Sequence, residues 1–277
     1  MYLLHYKLQS HRFLIQTGNK KLADLCLQLY PNSRSKYNGY TDLIYLLKMR
    51  NDRATGTVYE ILVNGNRKFQ TDIKSEMFSS LEWMITCNAL SYMSEFFQLH
   101  AGSVEKEGKV ILLPANHGQG KTTLTLSLTG SHYRCLSDDI VLIEPETTMI
   151  LPFPRSFLIK DKSIKKLAES SLIDKKKGYY CKSEDILYYN PHSTNTSPMK
   201  KVKPYAIVEL KHSRRFKNEL RPVSKSQMCI KLLRQSFNVH DYKRKAVTIL
   251  TGLVRKSKCY SLKTNNVKDA VRLVSQI

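Results

Sequence analysis

The chain has 277 residues, of which 42% are hydrophobic and 25% are charged, a composition typical of a globular protein rather than a disordered one. No apolar run approaches the roughly 18 residues that a membrane-spanning helix needs. The N-terminus lacks the residue order of a signal peptide and the six cysteines include no zinc-type pair, so we expect a cytoplasmic protein with reduced thiols.

Positive charge is concentrated in the second part of the chain. The net charge is +22, and residues 161–277 contain 27 of the 45 lysines and arginines but only 9 of the 23 acidic residues. Such an excess attracts anions, whether nucleotide, an acidic peptide or nucleic acid. A solvated basic surface with no specific partner explains the charge equally well.

The first 72 residues are predicted to form a small lobe of mixed α/β structure. Thr57–Val63 has the pattern of a strand and runs into Asn64-Gly65, a strong hairpin signal. This lobe contains no chemical motif, and we expect it to serve in docking or scaffolding. The catalytic domain is predicted to span residues 73–277 and to begin with a long helix, Ser75–Phe97.

A β-hairpin is predicted to lead from that helix into the most informative stretch of the sequence. Gln98–Val104 forms its first strand and carries His100, and the apolar run Val110–Leu113 forms its second. A lone histidine is more often structural than functional. The sequence around His100 alone therefore does not establish a role for it.

Residues 110–123 have the order of strand, glycine-containing turn and helix that a phosphate-binding loop requires. Gly118 and Gly120 let successive backbone N–H groups face phosphate oxygens, and the N-terminus of a helix adds its dipole. The consensus has glycine where this chain has Ala115. The predicted nucleotide ligands are Gly118, Gln119, Gly120, Lys121, Thr122 and Thr123, with Lys121 on the outer phosphates and Thr122 on Mg²⁺. The alternative is a turn that binds nothing.

Two adjacent carboxylates follow one helix later, at Asp138 and Asp139. Adjacent ionised aspartates need cations or protons nearby, which Mg²⁺ and a hydroxyl substrate would supply. The alternative is a loop or a helix cap. Arg155, after the rigid segment Leu151–Pro154, is a candidate phosphate ligand or a surface ion-pair partner.

The remaining chain is predicted to alternate strands and helices, which favours the α/β class. Residues 161–203, with their lysines, tyrosines and the polar run 192–198, are predicted to be a loop or an insertion. The predicted elements after it are a strand at Tyr205–Leu210, a helix after Ser224, a helix at Ala246–Val254, a strand at Cys259–Leu262 and a helix at Val267–Ile277.

Three pieces in this order resemble the HPr kinase/phosphorylase family, whose catalytic domain is similar to phosphoenolpyruvate carboxykinase. They are Leu99-His100-Ala101-Gly102, the loop 115–123, and Leu136-Ser137-Asp138-Asp139. Within this group the chain looks most like the kinases of lasso-peptide gene clusters, which phosphorylate a serine at the end of a precursor peptide. The chain lacks the segment that follows the aspartate pair in the bifunctional enzymes, so neither phosphorylase activity nor HPr as substrate is implied.

The resemblance implies a role for each matched residue. Asp138 would be the general base, His100 would lie beside Asp138 and tune it, and Asp139 would assist with metal or substrate positioning. Lys121 would hold the β- and γ-phosphates of ATP, and Thr122 would help to bind Mg²⁺. The family's enzymes are oligomeric, which makes a homo-oligomer an option, although the sequence shows no interface.

The predicted function is transfer of a γ-phosphoryl group from ATP to a peptide serine hydroxyl, with the lasso-peptide precursor as substrate. Two alternatives stay open. One is a kinase on the same fold that phosphorylates a small-molecule hydroxyl. The other is a basic, nucleotide-gated module that binds nucleic acid, which the presence of both Lys121 and the Asp138-Asp139 pair disfavours. No membrane partner is expected.

Overall fold

The computed structural model describes residues 1–36, 39–52, 56–191 and 200–277. The chain divides into two compact units. Unit 1 comprises Met1–Met93 and Pro154–His192, and unit 2 comprises Ser94–Phe153 and Ser193–Ile277. The predicted boundary between residues 72 and 73 does not coincide with the borders of these units.

The first part of unit 1 is a five-stranded sheet in the order β1-β2-β3-β4-β5, in which β2 and β3 are parallel and the other neighbours antiparallel. The predicted Asn64-Gly65 turn joins β4 to β5, and both residues have positive φ, as a tight hairpin turn requires. The elements are β1 (Tyr2–Leu8), β2 (His11–Thr17), α1 (Lys20–Cys26), a 3₁₀ turn (Pro31–Ser33), β3 (Leu43–Asp52), β4 (Gly56–Val63), β5 (Asn66–Thr71) and α2 (Lys74–Tyr92).

Helix α2 was predicted to open the catalytic domain, but it belongs to unit 1. Its apolar face is buried there, and the Thr86 hydroxyl shares a 2.8 Å hydrogen bond with the buried Tyr30 hydroxyl. The Phe78 ring meets the Tyr188 ring edge-on at 4.9 Å. The helical period predicted this helix, but the helix ends at Tyr92, and Phe97, the predicted last residue, begins the next strand. The period contained no information about the sheet against which the helix packs.

Unit 2 begins with a hairpin, a loop and a helix. Its first elements are β6 (Phe97–Lys106), β7 (Lys109–Pro114), α3 (Lys121–Thr129), β8 (Arg134–Ser137), β9 (Ile140–Ile143) and β10 (Ile150–Leu151). The order of strand, loop and helix over residues 109–129 matches the prediction. Each of Val110–Leu113 is buried, as expected of a central strand.

The chain then returns to unit 1. Residues 161–191 were predicted to be part of a loop or an insertion, but they form a short helix and two strands, because apolar side chains such as Ile164 and Leu187 are buried there. The two strands belong to a small antiparallel sheet of order β11-β13-β12. The elements are β11 (Phe157–Lys160), α4 (Asp161–Glu169), a 3₁₀ turn (Lys175–Lys177), β12 (Tyr179–Cys181) and β13 (Ile186–Tyr189). The polar run 192–198 lies outside the described residues.

The last part of the chain completes unit 2 as an α/β structure. Its eight-stranded sheet has the order β10-β9-β6-β7-β14-β16-β15, with β8 also paired to β6. Strands β7, β14 and β16 are parallel neighbours, while β6 runs antiparallel to β7. The added elements are β14 (Lys203–His212), β15 (Glu219–Pro222), α5 (Lys225–Leu233), α6 (Val239–Tyr242), α7 (Arg244–Arg255), β16 (Lys258–Thr264) and α8 (Val267–Val274).

Helices cover both faces of this sheet. Alternate residues of β7 point to opposite sides: Leu112 packs in a cluster with Met228 of α5 and Leu250 of α7, and Leu113 packs with Leu124 of α3 and Val274 of α8. The carboxyl ends of the three parallel strands therefore lie along one edge of a covered sheet. In open α/β sheets this edge is where ligands bind.

Two further observations concern the cysteines and the helices. All six cysteines are free, with Cys26, Cys181 and Cys259 buried, and burial raises the pKa of the Cys26 thiol to about 12. Among the described residues, no helix combines the length and the apolar composition needed to cross a membrane.

Candidate functional site

The loop between β7 and α3 has a backbone that curls around its glycines. Gly118 and Gly120 have φ of +78° and +86°, values that side chains other than glycine rarely adopt. Gly120 immediately precedes the first residue of α3 and has no side chain with which to cap the N–H groups of the first turn. Ala115 stands where the consensus has glycine. Its φ is not positive, so the backbone does not require glycine here, and its side chain is buried in the hydrophobic cluster that includes Leu124 of α3.

Gly102 allows α3 to approach β6 closely. A Cβ built at this position would overlap the Thr125 Oγ1 atom and lie 3.2 Å from the Asp138 carbonyl oxygen and 3.5 Å from the Lys121 Cγ. Glycine is therefore required here for space, since its φ is ordinary. The close approach brings the Lys121 side chain of α3 alongside His100, which lies two residues earlier on the same face of β6.

Three predicted site residues meet at this point. The Lys121 ammonium forms an ion pair with Asp139 Oδ1 and contacts His100 Nε2. His100 Nε2 also lies 2.9 Å from Asp139 Oδ1. Lys121 is buried, with 8% of its side chain exposed, whereas the side chains of His100 and Asp139 are 26% and 33% exposed. A cation, a carboxylate and an imidazole thus share one partly open position.

The second aspartate of the pair has a different environment. Asp138 is 2% exposed, and its Oδ2 accepts a 3.1 Å hydrogen bond from the Thr122 hydroxyl. The resemblance implied that His100 lies beside Asp138, but the structure places His100 against Asp139. The reason is the local backbone: Asp138 and Asp139 follow β8, and successive side chains there point in different directions, one towards α3 and one towards His100.

Two residues that sequence reasoning missed support His100 from its other side. Gln235 Oε1 lies 3.0 Å from His100 Nδ1, and Gln235 Nε2 donates to Asn116 Oδ1 at 2.9 Å. Since the amide nitrogen of Gln235 is engaged with Asn116, its oxygen faces His100, and we assign the ring proton to Nδ1. The Nε2 atom that faces Asp139 and Lys121 can then take up a proton. No sequence motif signals Gln235, which follows α5 and is 135 residues from His100.

The residues present fit a Mg²⁺–nucleotide. The Thr122 hydroxyl and Asp138 carboxylate oxygens, 3.1 Å apart, have the spacing of neighbouring oxygens in an octahedral Mg²⁺ shell, about 3 Å for bonds of 2.0–2.1 Å. Among the described residues no group of three or more His, Cys, Asp or Glu side chains could hold a metal. Mg²⁺ uses few protein ligands and completes its shell with phosphates and water, so one hydroxyl and one carboxylate are sufficient protein ligands for a Mg²⁺–nucleotide. Asp139, which was expected to assist with metal or substrate positioning, is paired with Lys121.

Gln119 connects the loop between β7 and α3, residues 115–120 (the glycine loop), to the neighbouring strand β14. Its Oε1 accepts a 2.7 Å hydrogen bond from the His212 N–H at the end of β14. The turn that follows exposes three cations, Arg214, Arg215 and Lys217. These residues place positive charge at the carboxyl ends of the parallel strands, on the β14 side of the glycine loop.

Arg155 forms an ion pair, which is one of the two alternatives that the sequence left open, but the pair is buried and not on the surface. It belongs to unit 1, where its Nη1 donates to Glu82 Oε1 at 3.0 Å, and both side chains are only 6% exposed. A buried carboxylate needs such a partner. This ion pair explains the arginine, so we do not include Arg155 among the nucleotide ligands. Thr123 lies in the first turn of α3, as predicted.

Comparisons with known proteins give one solved structure to report. No protein-family model matches the chain, and no curated protein matches it. The structure of the Hpr(Ser) kinase/phosphatase from Coxiella burnetii aligns over 65% of this chain and 94% of its own, with a TM-score of 0.32 and 8% sequence identity.

Gly102→Ala tests the close approach of α3 to β6. We expect it to lower the free energy of unfolding by about 1–3 kcal/mol, because the new methyl group overpacks a filled position. Urea denaturation measures the change. The control is Gly102→Ala with Thr125→Ala: Thr125 Oγ1 has no hydrogen-bond partner among the described residues, so its removal relieves the overlap. Equal losses in the single and double variants would contradict the packing argument.

Gln235→Leu tests the assignment of the His100 proton. In the neutral form of the ring, the native protein should show the Nδ1–H tautomer in long-range ¹⁵N-edited NMR spectra. The variant should shift His100 towards the Nε2–H tautomer because Nδ1 loses its acceptor. Gln227→Leu, on the exposed side of α5, is the matched control and should leave the tautomer unchanged. An Nε2–H tautomer in the native protein would refute the assignment.

Proposed function

We propose that unit 2 is a phosphotransferase that binds a Mg²⁺–nucleoside triphosphate at the loop 115–121 and transfers its γ-phosphoryl group to a hydroxyl. The observation that carries the proposal is the meeting of Lys121, Asp139 and His100 at the start of α3, directly after a loop with two glycines of positive φ. A loop that only turned the chain would need neither a buried lysine nor a carboxylate–imidazole pair beside it.

Lys121 and the loop hold the transferred group. The ammonium of Lys121 is balanced by Asp139. Bound β- and γ-phosphates would share that ammonium, together with the N–H groups of the loop and of the first turn of α3. Thr122 and Asp138 would hold Mg²⁺, which neutralises charge on the phosphate oxygens.

Asp139 and His100 are placed to receive the proton of the acceptor. The acceptor oxygen forms a bond to the γ-phosphorus as the bond between that phosphorus and the β–γ bridging oxygen breaks, and the nucleoside diphosphate leaves with that oxygen. The hydroxyl proton passes to the Asp139 carboxylate. His100 Nε2 lies 2.9 Å from that carboxylate and can take the proton from it. Asp138, the base implied by the resemblance, is buried against Thr122 and is assigned to the metal side.

The acceptor in this proposal is a serine hydroxyl of a peptide, and a lasso-peptide precursor is the specific candidate. The support for the precursor is the sequence resemblance alone. The excess of positive charge after residue 160 is consistent with anionic ligands. Two experimental results would contradict a peptide acceptor. One is transfer to a small-molecule hydroxyl, and the other is binding of nucleic acid without transfer.

Paired substitutions test the roles of the two aspartates. Asp139→Asn should retain Mg²⁺–ATP binding and lose about 10²–10⁴-fold in transfer rate, because a general base is removed. Asp138→Asn should instead raise the Mg²⁺ concentration needed for nucleotide binding. Isothermal titration with ATP at several Mg²⁺ concentrations and single-turnover transfer measure the two effects. Lys121→Ala, which should lose nucleotide affinity, is the reference variant, and unchanged affinity in it would overturn the nucleotide site.

The opposite pattern would reassign the base. If Asp138→Asn abolished transfer with its Mg²⁺ dependence intact, Asp138 would be the base and Asp139 a positioning residue. The Asp139→Asn variant must also be compared for folding, because it removes the partner of a buried lysine and destabilises the chain.

The exposed cations after β14 should strengthen binding of the nucleotide. The double variant Arg214→Ala with Arg215→Ala should weaken ATP binding and reduce the slope with which affinity falls as salt rises, because two positive charges near the phosphates are lost. Titrations at several ionic strengths measure the slope. A double alanine variant at Arg244 and Lys245, exposed on α7, removes the same charge elsewhere and is the control. Equal effects in the two double variants would show that only net charge matters.

A further inference from the structure

The geometry of transfer divides the site into two sides. The attacking and leaving oxygens lie roughly in line across the phosphorus. Strand β7 has β6 as its neighbour on one side and β14 on the other. His100 is on β6, and the Asp138-Asp139 pair follows β8, which also pairs with β6. The proposed base is therefore on the β6 side, and the acceptor hydroxyl must approach from there.

The surface on the β6 side is formed by residues 235–238. Strand β7 pairs with β6 only as far as Ala101 and Pro114. Beyond that point the same edge of β6 bonds residues 235–238 instead. The His100 N–H donates to the Gln235 carbonyl oxygen at 2.7 Å, and the Phe237 N–H donates to the Gln98 carbonyl oxygen at 2.9 Å.

Asn238 fixes this segment further. Its buried side chain accepts a hydrogen bond from the Gln98 N–H at 3.0 Å and donates one to the Phe96 carbonyl oxygen at 2.9 Å. Residues 235–238 thus form a short, firmly bonded extension of the sheet and not a free loop. A side chain presented by this segment has a defined position relative to His100.

Phe237 is presented by this segment next to the reacting groups. Its ring centroid lies 5.7 Å from that of His100, yet 46% of the residue is exposed. Single exposed apolar side chains are common on proteins, so exposure alone would mean little. The difference here is that the backbone on both sides of Phe237 is anchored, and the ring touches an imidazole that we assign to proton transfer.

We propose that Phe237 is a specificity-determining residue that contacts an apolar side chain next to the acceptor hydroxyl. The acceptor is then a peptide with an apolar residue flanking its serine, rather than a small polar metabolite. This inference rests on the proposed phosphotransfer function, because the in-line geometry identifies the acceptor side. An aromatic ring buries a large apolar area on contact and is a frequent anchor of recognition.

The test uses two synthetic peptides that differ at one position. Both contain a single serine in a Gly-rich background with an N-terminal fluorophore, and the residue beside the serine is Leu in one and Gly in the other. The native protein with Mg²⁺ and a non-hydrolysable ATP analogue should bind the Leu peptide about tenfold more tightly than the Gly peptide by fluorescence anisotropy. Phe237→Ala should abolish this preference, and Phe237→Leu should restore part of it.

Matched controls exclude a general loss of surface hydrophobicity. Ile230 on α5 is 55% exposed, and Ile230→Ala should keep the preference for the Leu peptide. The affinity of the Phe237→Ala variant for the ATP analogue should equal that of the native protein, because the ring lies on the acceptor side.

The binding assay separates failure of this inference from failure of the proposed function. Equal binding of the two peptides by the native protein, binding of neither peptide, or an unchanged preference in Phe237→Ala would overturn the role of Phe237. Transfer is measured separately with ATP and the same peptides. If the preference depends on Phe237 but no phosphate is transferred to either peptide, the recognition surface stands and the phosphotransfer function fails.

Discussion

The arrangement of unit 2 depends on a buried cation. Lys121 is 8% exposed, and a lysine so placed requires a compensating charge, which Asp139 provides. The pair can form only because Gly102 has no side chain, so that α3 lies against β6 and the ammonium reaches past the strand to the loop after β8. The close packing at Gly102 thus brings together side chains from three elements that are separated in sequence, namely β6, α3 and the loop after β8.

In the proposed function, a bound anion would share the same ion pair. Asp139 is the counter-charge of Lys121, and His100 contacts both. A phosphate beside Lys121 would supply a second counter-charge, so that Asp139 no longer needs to serve the lysine alone and can accept a proton. Gln235 fixes the tautomer of His100, because its side-chain oxygen accepts the Nδ1 proton and its amide nitrogen donates to Asn116 in the glycine loop. The loop that would bind phosphate and the imidazole that would relay a proton are therefore connected by two hydrogen bonds.

Much of this site could be predicted from the sequence because its signals are local. The strand before the loop, Gly118, Gly120 and the start of α3 at Lys121 all lie within one short stretch, and the structure has them as predicted. The grouping of His100 with an aspartate required the family resemblance, and even then the partner was Asp139 instead of Asp138. The two aspartates are adjacent, and which of them faces His100 depends on the backbone dihedral angles after β8, which the sequence does not specify.

What could not be predicted depends on contacts between distant residues. Gln235 has no motif of its own and gains its role only because the end of α5 reaches the edge of β6 where β7 departs. Arg155 was a candidate phosphate ligand or ion-pair partner, and it forms an ion pair with Glu82, 73 residues earlier in the chain. The unit borders were missed for the same reason, since α2 has a clear helical period but its packing partners include residues after Phe153.

The two sides of the glycine loop carry different kinds of side chain, and this difference has a functional meaning. On the β14 side, Gln119 bonds the backbone of His212 ahead of three exposed cations, which suits a polyanion. On the β6 side, the anchored segment 235–238 presents an exposed ring beside His100. Attraction between charges extends over about 8–10 Å at physiological salt, whereas an aromatic contact requires direct touch. Charge can therefore gather anionic ligands near the site without selecting among acceptors, while contact with Phe237 would select the acceptor at the position where its hydroxyl must meet the base.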